Sequence, residues 1–148
     1  MVMRLPGLSL VGCLLMVTCL GPAAAQEGSD LLRRAEMKSG VCCVVGAGDG
    51  AMALSLARDS NMLVHVRDAD GGAIRKLRDE ADRAGFSIQR LLAEQGEMVR
   101  LPHADNTLDL IVSNQQETIR LLPVVEVLRA LRPDGVAIFG GRGLGKSL

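Results

Sequence analysis

The sequence contains no tryptophan and no tyrosine, and only two phenylalanines among its 148 residues. Proteins that bind single-stranded nucleic acid stack its bases on several aromatic side chains, so this composition argues against that class. The charges are also balanced, with 17 basic and 17 acidic residues. We therefore expect neither a basic surface that binds nucleic acid nor strong steering of acidic partners.

Cysteine and histidine are also scarce, with four and two residues in the chain. Of the four cysteines, Cys13 and Cys19 lie in an N-terminal apolar segment, and Cys42 and Cys43 are adjacent. Neighbouring residues of a strand point to opposite faces of the sheet, so Cys42 and Cys43 are not expected to form a disulfide. With only two histidines in the chain, the spacing of ligands predicts no metal site.

Residues 1–25 have the pattern of a secretory signal peptide. Arg4 precedes an uncharged apolar run over residues 8–20, and small alanines follow at positions 23–25. The apolar run is shorter than the roughly 20 residues that span a bilayer. We therefore expect cleavage before Gln26, export to the periplasm or the exterior, and no stable membrane span.

The rest of the chain divides into three parts. Residues 26–40 are polar and are predicted to form a linker with one or two helical turns. Residues 41–141 alternate apolar runs with amphipathic helical patterns, and residues 142–148 form a glycine-rich tail. Because such alternation is typical of parallel strands joined by right-handed crossovers, we predict a Rossmann-like, doubly wound α/β fold with about five strands.

The strands are predicted from short apolar runs that end in turn residues. They are expected at residues 41–45, 62–67, within 88–93, at 108–113 and at 136–139. Before the last strand, apolar residues recur at helical spacing and predict a helix with a buried stripe. The members of this stripe are Leu121, Val124, Leu128 and Leu131.

The turn after the first strand is the strongest local signal for a ligand site. Gly46, Gly48 and Gly50 alternate with other residues between a strand and a helix. Such a turn lets the backbone approach a ligand closely and presents N–H groups at the helix N-terminus. A glycine turn of this kind can also be purely structural.

Asp68, at the end of the second strand, is the next candidate. An acid at this place in doubly wound folds accepts hydrogen bonds from the ribose hydroxyls of a cofactor. Capping of the following helix is the other possible role. With the glycine turn, Asp68 favours a nucleotide-like cofactor. Residues 46–51 also fit G-x-G-x-x-A, so an NAD(P)-binding domain stays open.

Three stretches, in order, resemble motifs of the class I S-adenosylmethionine-dependent methyltransferases. They are VVGAGDG at 44–50, LPHADNTLDLIVSN at 101–114 and EVLRALRPDGV at 126–136. The last two are similar to the family patterns L-P-F-x-D-N-S-F-D-x-V and E-x-x-R-V-L-R-P-G-G. The stretches also resemble a methyltransferase-like domain of exported bacterial proteins that continue into a quinoprotein-like β-propeller, which would be a C-terminal partner.

The resemblance implies that S-adenosylmethionine is the cofactor. The glycines would line its methionine part and Asp68 would hold the ribose hydroxyls. From the first two strands, the predicted cofactor-binding residues are Gly46, Ala47, Gly48, Gly50, Asp68 and Ala69.

The ends of the third and fourth strands complete the predicted site. By the same resemblance, Glu97 and the backbone of Met98 would lie beside the adenine. Ser113 and Asn114 would face the sulfonium and the methyl acceptor.

The chain also departs from the family pattern. Val44 stands where the family usually has an acid, two residues before the first glycine, so a polar contact near the cofactor's amino group is lost. The C-terminal antiparallel strands of the family are expected to be missing.

The predicted function is methyl transfer from S-adenosylmethionine to an unspecified acceptor. An NAD(P)-binding domain and a catalytically silent, methyltransferase-like interaction module of an exported protein are the alternatives. No catalytic residue is assigned. His103 is a candidate general base because histidine titrates near neutrality, although loop histidines are ordinarily just surface residues.

Overall fold

The computed structural model describes residues 23–140. Most of the predicted signal peptide, residues 1–22, and the predicted tail at 142–148 lie outside the described residues. The elements follow in the order α1 (Ala23–Ala35), β1 (Ser39–Val45), α2 (Ala51–Asp59), β2 (Asn61–Asp68), α3 (Gly71–Arg83), β3 (Leu91–Gln95), β4 (Leu108–Ser113), α4 (Gln116–Leu121), α5 (Val124–Ala130) and β5 (Leu131–Phe139).

The strands form one sheet in the order β3-β2-β1-β4-β5, and every neighbouring pair is parallel. This arrangement confirms the predicted Rossmann-like α/β fold with five strands. Within residues 23–140 the sheet has no antiparallel strand. None of the helices in this range has the length and apolar character needed to cross a membrane.

β1 lies at the centre of the sheet and is buried on both faces. Residues 42–45 have no exposed surface, which is why their sequence is a continuous apolar run rather than an alternating one. Cys42 packs in the core on one face of the sheet and Cys43 in the core on the other. The two thiols are free, as the geometry of adjacent strand residues requires.

Two apolar cores hold the sheet between its helices. The larger lies under α1, α2 and α3 and contains fully buried side chains such as Leu56, Met62 and Leu77. The smaller lies on the other face, where Ile111 of β4 packs with Val127 of α5 and with the loop between β3 and β4. The loop between β3 and β4 therefore covers part of this face of the sheet, whereas helices α1, α2 and α3 cover the other face.

The prediction of a linker over residues 26–40 differs from the structure, which has a packed helix and the start of β1 there. Leu32 and Ala35 of α1 are each 7% exposed and belong to the larger core. α1 lies so close to α2 that a Cβ on Gly28 would be 2.1 Å from Ser55 Oγ. The sequence does not indicate this helix clearly because its buried face is narrow, with Leu32 and Ala35 set among charged and polar residues.

The segment before β5 also differs from the prediction. Pro123 separates two short helices, α4 and α5, because proline has no backbone N–H and cannot continue a helix. Leu121, Val124 and Leu128 are 57%, 72% and 68% exposed. The expected buried stripe is therefore wrong, and Val127 fills the smaller core instead.

Two strand boundaries differ from the sequence as well. β3 begins at Leu91, since Ile88 lies in the preceding turn and is 76% exposed. β5 begins at Leu131 and reaches its main pairing with β4 after a register shift near Leu108.

Replacement of Leu32 by alanine tests the packing of α1. Loss of a nearly buried leucine should lower the free energy of unfolding by about 2 kcal/mol. The measurement is urea unfolding followed by circular dichroism. Arg34→Ala, at an exposed position of the same helix, is the control and should change stability little. Equal stabilities for the two variants would show that residues 26–35 behave as a linker after all.

Candidate functional site

The candidate site lies at the edge of the sheet where the parallel strands end. In open α/β sheets, ligands bind outside the carboxyl ends of the strands, near the point where the strand order reverses. Here that point lies between β1 and β4. The segments that meet at this edge follow β1, β2, β3 and β4, and each contains residues that the sequence singles out.

The glycine turn after β1 has a backbone that other residues adopt only with strain. The φ angles of Gly46, Gly48 and Gly50 are 91°, 57° and 83°, in the left-handed region where glycine has no steric penalty. The Gly46 N–H donates to the carbonyl of Arg67 on β2 at 2.7 Å. The Gly50 N–H donates to the carbonyl of Ala47 at 2.9 Å and closes the turn at the start of α2.

The carboxylate of Asp68 points at this turn. Its Oδ2 accepts the Ala47 N–H at 2.7 Å, and its Oδ1 accepts the Asp70 N–H at 2.8 Å. Asp70, and not Asp68, caps α3 by accepting the Gly72 N–H at 2.7 Å. The capping role is thus taken by another residue, and the oxygens of Asp68 retain capacity to accept further hydrogen bonds.

The ends of β2 and β3 are tied together beside Asp68. The Gly96 N–H donates to the carbonyl of Asp68 at 2.9 Å, and the Gln95 side chain donates to the carbonyl of Ala69 at 3.0 Å. Glu97 follows directly and is exposed, whereas the Met98 side chain is buried in the smaller core. The structure therefore brings Asp68, Ala69 and the segment before Glu97 to one edge.

The residues at the end of β4 differ in their exposure to solvent. Ser113 is only 2% exposed, and its hydroxyl accepts the Gln115 N–H at 3.3 Å. Its carbonyl accepts the Gly140 N–H at 2.8 Å. Asn114 is exposed at the edge. The Ser113 side chain is therefore turned into the fold, and Asn114 and Gln115 present the accessible groups of this segment.

A charged pair, Glu126 and Arg129, fixes the loop between β3 and β4, and neither residue is among the predicted site residues. Glu126 of α5 accepts the Leu101 N–H at 2.8 Å and pairs with Arg129 at 2.5 and 2.9 Å. Arg129 also donates to the carbonyls of Leu101 and His103, at 3.2 and 2.9 Å, and to the Asp105 carboxylate at 2.6 Å. Hydrogen bonding to Arg129 lowers the pKa of Glu126 to about 2.

This pair explains why two of the sequence stretches occur together. Residues 101–114 supply the loop, and residues 126–136 supply the glutamate and arginine that hold it. The spacing of Glu126 and Arg129 puts both on one face of a helix. That spacing was the signal by which the pair could have been predicted.

A pair of histidines holds the same loop from the other side. The rings of His65 on β2 and His103 in the loop meet through Nδ1 and Nε2 at 2.8 Å, and His65 Nε2 lies 3.1 Å from the Glu94 carboxylate. Since a carboxylate only accepts, His65 Nε2–H is the donor to Glu94. Neutral His65 then accepts through Nδ1, and His103 Nε2–H must donate to it.

The environment keeps both rings neutral. Burial lowers the pKa of His65 despite the opposing effect of Glu94. Burial, reinforced by His65, Arg67 and Arg129, lowers the pKa of His103 to about 4. His103 Nδ1 is buried and has no hydrogen-bond partner among the described residues, so a proton there would have no acceptor. The structure therefore gives His103 a structural contact and does not support its role as a general base.

Residues that could hold a metal ion are not grouped at this edge or elsewhere between residues 23 and 140. No three side chains of His, Cys, Asp or Glu come together as metal ligands in that range. The chemistry of the edge thus rests on backbone N–H groups, the Asp68 carboxylate and the amides of Asn114 and Gln115.

The chain belongs to the methyltransferase domain family. The family described as "Methyltransferase domain" matches residues 43–135, which is most of the described domain. None of the curated proteins matches the chain. The match confirms the predicted family and does not favour the NAD(P)-binding alternative.

Solved structures with the same fold include several methyltransferases. A putative S-adenosylmethionine-dependent methyltransferase from Methanococcus maripaludis aligns with a TM-score of 0.69 and 23% identity over 80% of this chain and 54% of its own. A geranyl diphosphate methyltransferase in complex with S-adenosylmethionine aligns with a TM-score of 0.67 and 14% identity over 78% and 48%.

The fold also occurs in an enzyme named for another reaction. The 4+2 cyclase SpnF aligns with a TM-score of 0.69 and 26% identity over 79% of this chain and 44% of its own. The chain thus spans about half the length of the solved structures it matches. Which cofactor group each residue of the edge contacts stays a prediction.

The histidine pair predicts a pH dependence of stability. The pKa of His103 is about 4 in the folded chain and near 6.5 when unfolded, so the unfolded state takes up the proton first as the pH falls. The stability from neutral His103 is fully present above pH 6.5 and is lost progressively toward pH 4. Thermal melting followed by circular dichroism should show a fall in Tm over this range.

His103→Gln is the matched test. A glutamine side chain can donate to His65 but does not titrate, so the fall in Tm between pH 6.5 and 4 should become shallower. Glu117→Gln, at an exposed position of α4, should leave the profile unchanged. An equally steep profile in His103→Gln would show that His103 does not cause the pH dependence.

Proposed function

We propose that the edge of the sheet binds S-adenosylmethionine and that the chain is the cofactor-binding part of a methyltransferase. The glycine turn would hold the methionine part of the cofactor, with Ala47 between the glycines. Asp68 and Ala69 would hold the ribose, and Glu97 and the Met98 backbone would lie beside the adenine. This assignment follows the family to which the chain belongs.

The observation that carries the proposal is the direction of the Asp68 carboxylate. It accepts the Ala47 N–H at 2.7 Å, so the acid at the end of β2 and the glycine turn after β1 form one continuous surface. A ribose on Asp68 and a methionine chain on the turn are then adjacent, as one adenosyl ligand requires. The start of α2 favours negative charge, and the Asp49 carboxylate accepts the Ala51 N–H there at 3.1 Å.

The residues at this edge are better suited to holding the two reactants close together than to transferring a proton. When bound, the cofactor supplies a methyl group on a sulfonium; the acceptor forms a bond to that methyl carbon as the carbon–sulfur bond breaks. The chain's contribution would be to hold donor and acceptor close and in line. Asn114, which is exposed at the end of β4, would face the acceptor.

A catalytically silent module is the second candidate. One observation favours it: Val44, two residues before the first glycine, is fully buried and apolar, so no acid is available there. Binding of the cofactor without transfer to any acceptor would support the silent module.

Isothermal titration calorimetry of the full chain with S-adenosylmethionine and with NADH tests the proposal. We expect binding of S-adenosylmethionine and none of NADH. Asp68→Ala should weaken binding at least tenfold, since a hydrogen-bonded charged acceptor contributes about 1.5–3 kcal/mol. Asp79→Ala, on the exposed side of α3, should bind normally.

Two results would contradict the proposal. Binding of NADH in place of S-adenosylmethionine would assign the edge to the other cofactor class. An unchanged affinity in Asp68→Ala would show that the carboxylate does not hold the ribose.

We also propose that the protein is exported and that a β-propeller follows this domain. The charged, apolar and small-residue pattern of residues 1–25 supports export. Cleavage before Gln26 would remove only the first residues of α1 and leave Leu32 in place in the larger core. Export would separate the domain from cytosolic S-adenosylmethionine, which favours the silent module if the protein leaves the cytosol.

Cell fractionation with N-terminal sequencing of the recovered chain tests the location. We expect a periplasmic or secreted chain that begins at Gln26. Leu14→Arg, within the apolar run, should block export, whereas Leu14→Ile should not. A cytosolic protein that begins at Met1 would contradict the proposal.

A further inference from the structure

The side chain of Gln115 lies across the glycine turn. A Cβ built on Gly48 would be 2.6 Å from Gln115 Nε2, and one built on Gly46 would be 3.1 Å from Gln115 Oε1. The amide therefore covers the surface that the absence of side chains at Gly46 and Gly48 leaves open. Any ligand that approaches the turn closely must contact this amide or displace it.

The hydrogen bonds of this amide are incomplete. The Thr118 hydroxyl donates to Gln115 Oε1 at 3.4 Å, which is long for a bond between oxygens. Gln115 Nε2 has two N–H donors, and neither makes a hydrogen bond within residues 23–140; the hydrogen bonds of Gln115 there involve its backbone and Oε1. The side chain is half-buried. Two N–H donors beside the glycine turn are complementary to an anionic group.

We propose that Gln115 recognises the amino-acid end of the adenosyl cofactor, an inference that rests on the proposed function. Nε2 donates to the carboxylate of the methionine part. Oε1, oriented by Thr118, accepts from the ammonium group. Gln115 is thus the residue that distinguishes an adenosyl compound with an amino acid from one without it.

The surrounding contacts support a side chain that can adjust to a ligand. Because one long hydrogen bond is all that holds the amide within the described part of the chain, its rotation toward a ligand costs little. The backbone is fixed, since the Gln115 N–H donates to the buried Ser113 hydroxyl and its carbonyl accepts the Ile119 N–H at 3.0 Å in α4. The Gln115 backbone is therefore fixed while its side-chain amide can rotate, which suits contact with a ligand bound at the glycine turn.

Two ligands distinguish recognition of the amino-acid end by Gln115 from a general effect of Gln115 on the shape of the site. S-adenosylhomocysteine carries the amino-acid end, and 5′-methylthioadenosine lacks it but keeps the adenosyl part. We expect Gln115→Ala to weaken binding of S-adenosylhomocysteine about tenfold or more, because hydrogen bonds to charged groups are lost. Its affinity for 5′-methylthioadenosine should stay within about twofold of that of the unaltered chain, since that ligand makes no such contact.

Two further variants sharpen the test, which uses calorimetry on the full chain. Gln115→Glu keeps the acceptor for the ammonium group but removes both donors to the ligand carboxylate and sets a negative charge beside it, so it should also weaken S-adenosylhomocysteine binding. Gln116→Ala, at the exposed neighbouring position, should bind both ligands normally. Melting curves establish that each variant is folded.

The outcomes distinguish the inference from the proposed function. Equal losses for both ligands would overturn it and assign Gln115 a structural role. Tighter binding of both ligands by Gln115→Ala would overturn it and show that the side chain only obstructs the turn. Unchanged affinities would also overturn it. Failure of the unaltered chain to bind either ligand would contradict the proposed function, and the inference with it.

Discussion

The carboxylate of Asp68 joins two segments that lie 21 positions apart in the sequence, since it accepts the backbone N–H of Ala47. This hydrogen bond sets the glycine turn against the end of β2. The bond is possible because β1 and β2 are parallel neighbours, paired in register up to Val45 and Arg67, so their carboxyl ends coincide. The surface that we assign to the cofactor follows from that one contact and from the left-handed backbone of the turn.

The loop between β3 and β4 makes the rest of the edge, and it has little regular structure of its own. It is held by Arg129 and Glu126 on one side and by the ring of His65 on the other. Each of these contacts involves polar groups that are partly removed from water, where hydrogen bonds are stronger and unpaired groups are costly. The exposed Glu97 follows Gly96, whose N–H donates to the carbonyl of Asp68 and so fixes the start of this loop against the end of β2.

The fold was predictable because its signals are local. The apolar run of β1, the glycine turn and Asp68 each follow from the physical demands of a buried parallel sheet with a ligand at its edge. The helix α1 was missed because its buried face is narrow, with Leu32 and Ala35 among polar residues. The prediction of which face of α5 is buried was wrong because a new helix begins after Pro123. Val127 is therefore buried and Leu128 is exposed.

The parts of the site that the sequence did not predict depend on side-chain direction. Nothing in the spacing of Gln115 shows that its amide lies over Gly48, since that depends on how β4 ends and α4 begins. The same holds for the two histidines, which are 38 positions apart and meet only because the loop folds back over β2. Long-range contacts between polar side chains are set by the tertiary structure and leave no period in the sequence.

Nuclear magnetic resonance of the isotope-labelled full chain, titrated with S-adenosylhomocysteine, tests whether the glycine turn and Asp68 form the cofactor site. If they do, the backbone amide signals of Ala47, Gly48, Gly96 and Glu97, and the side-chain amide of Gln115, shift together and saturate at one ligand concentration. Shifts confined to other parts of the sheet, with the signals of the glycine turn unmoved, would contradict this assignment.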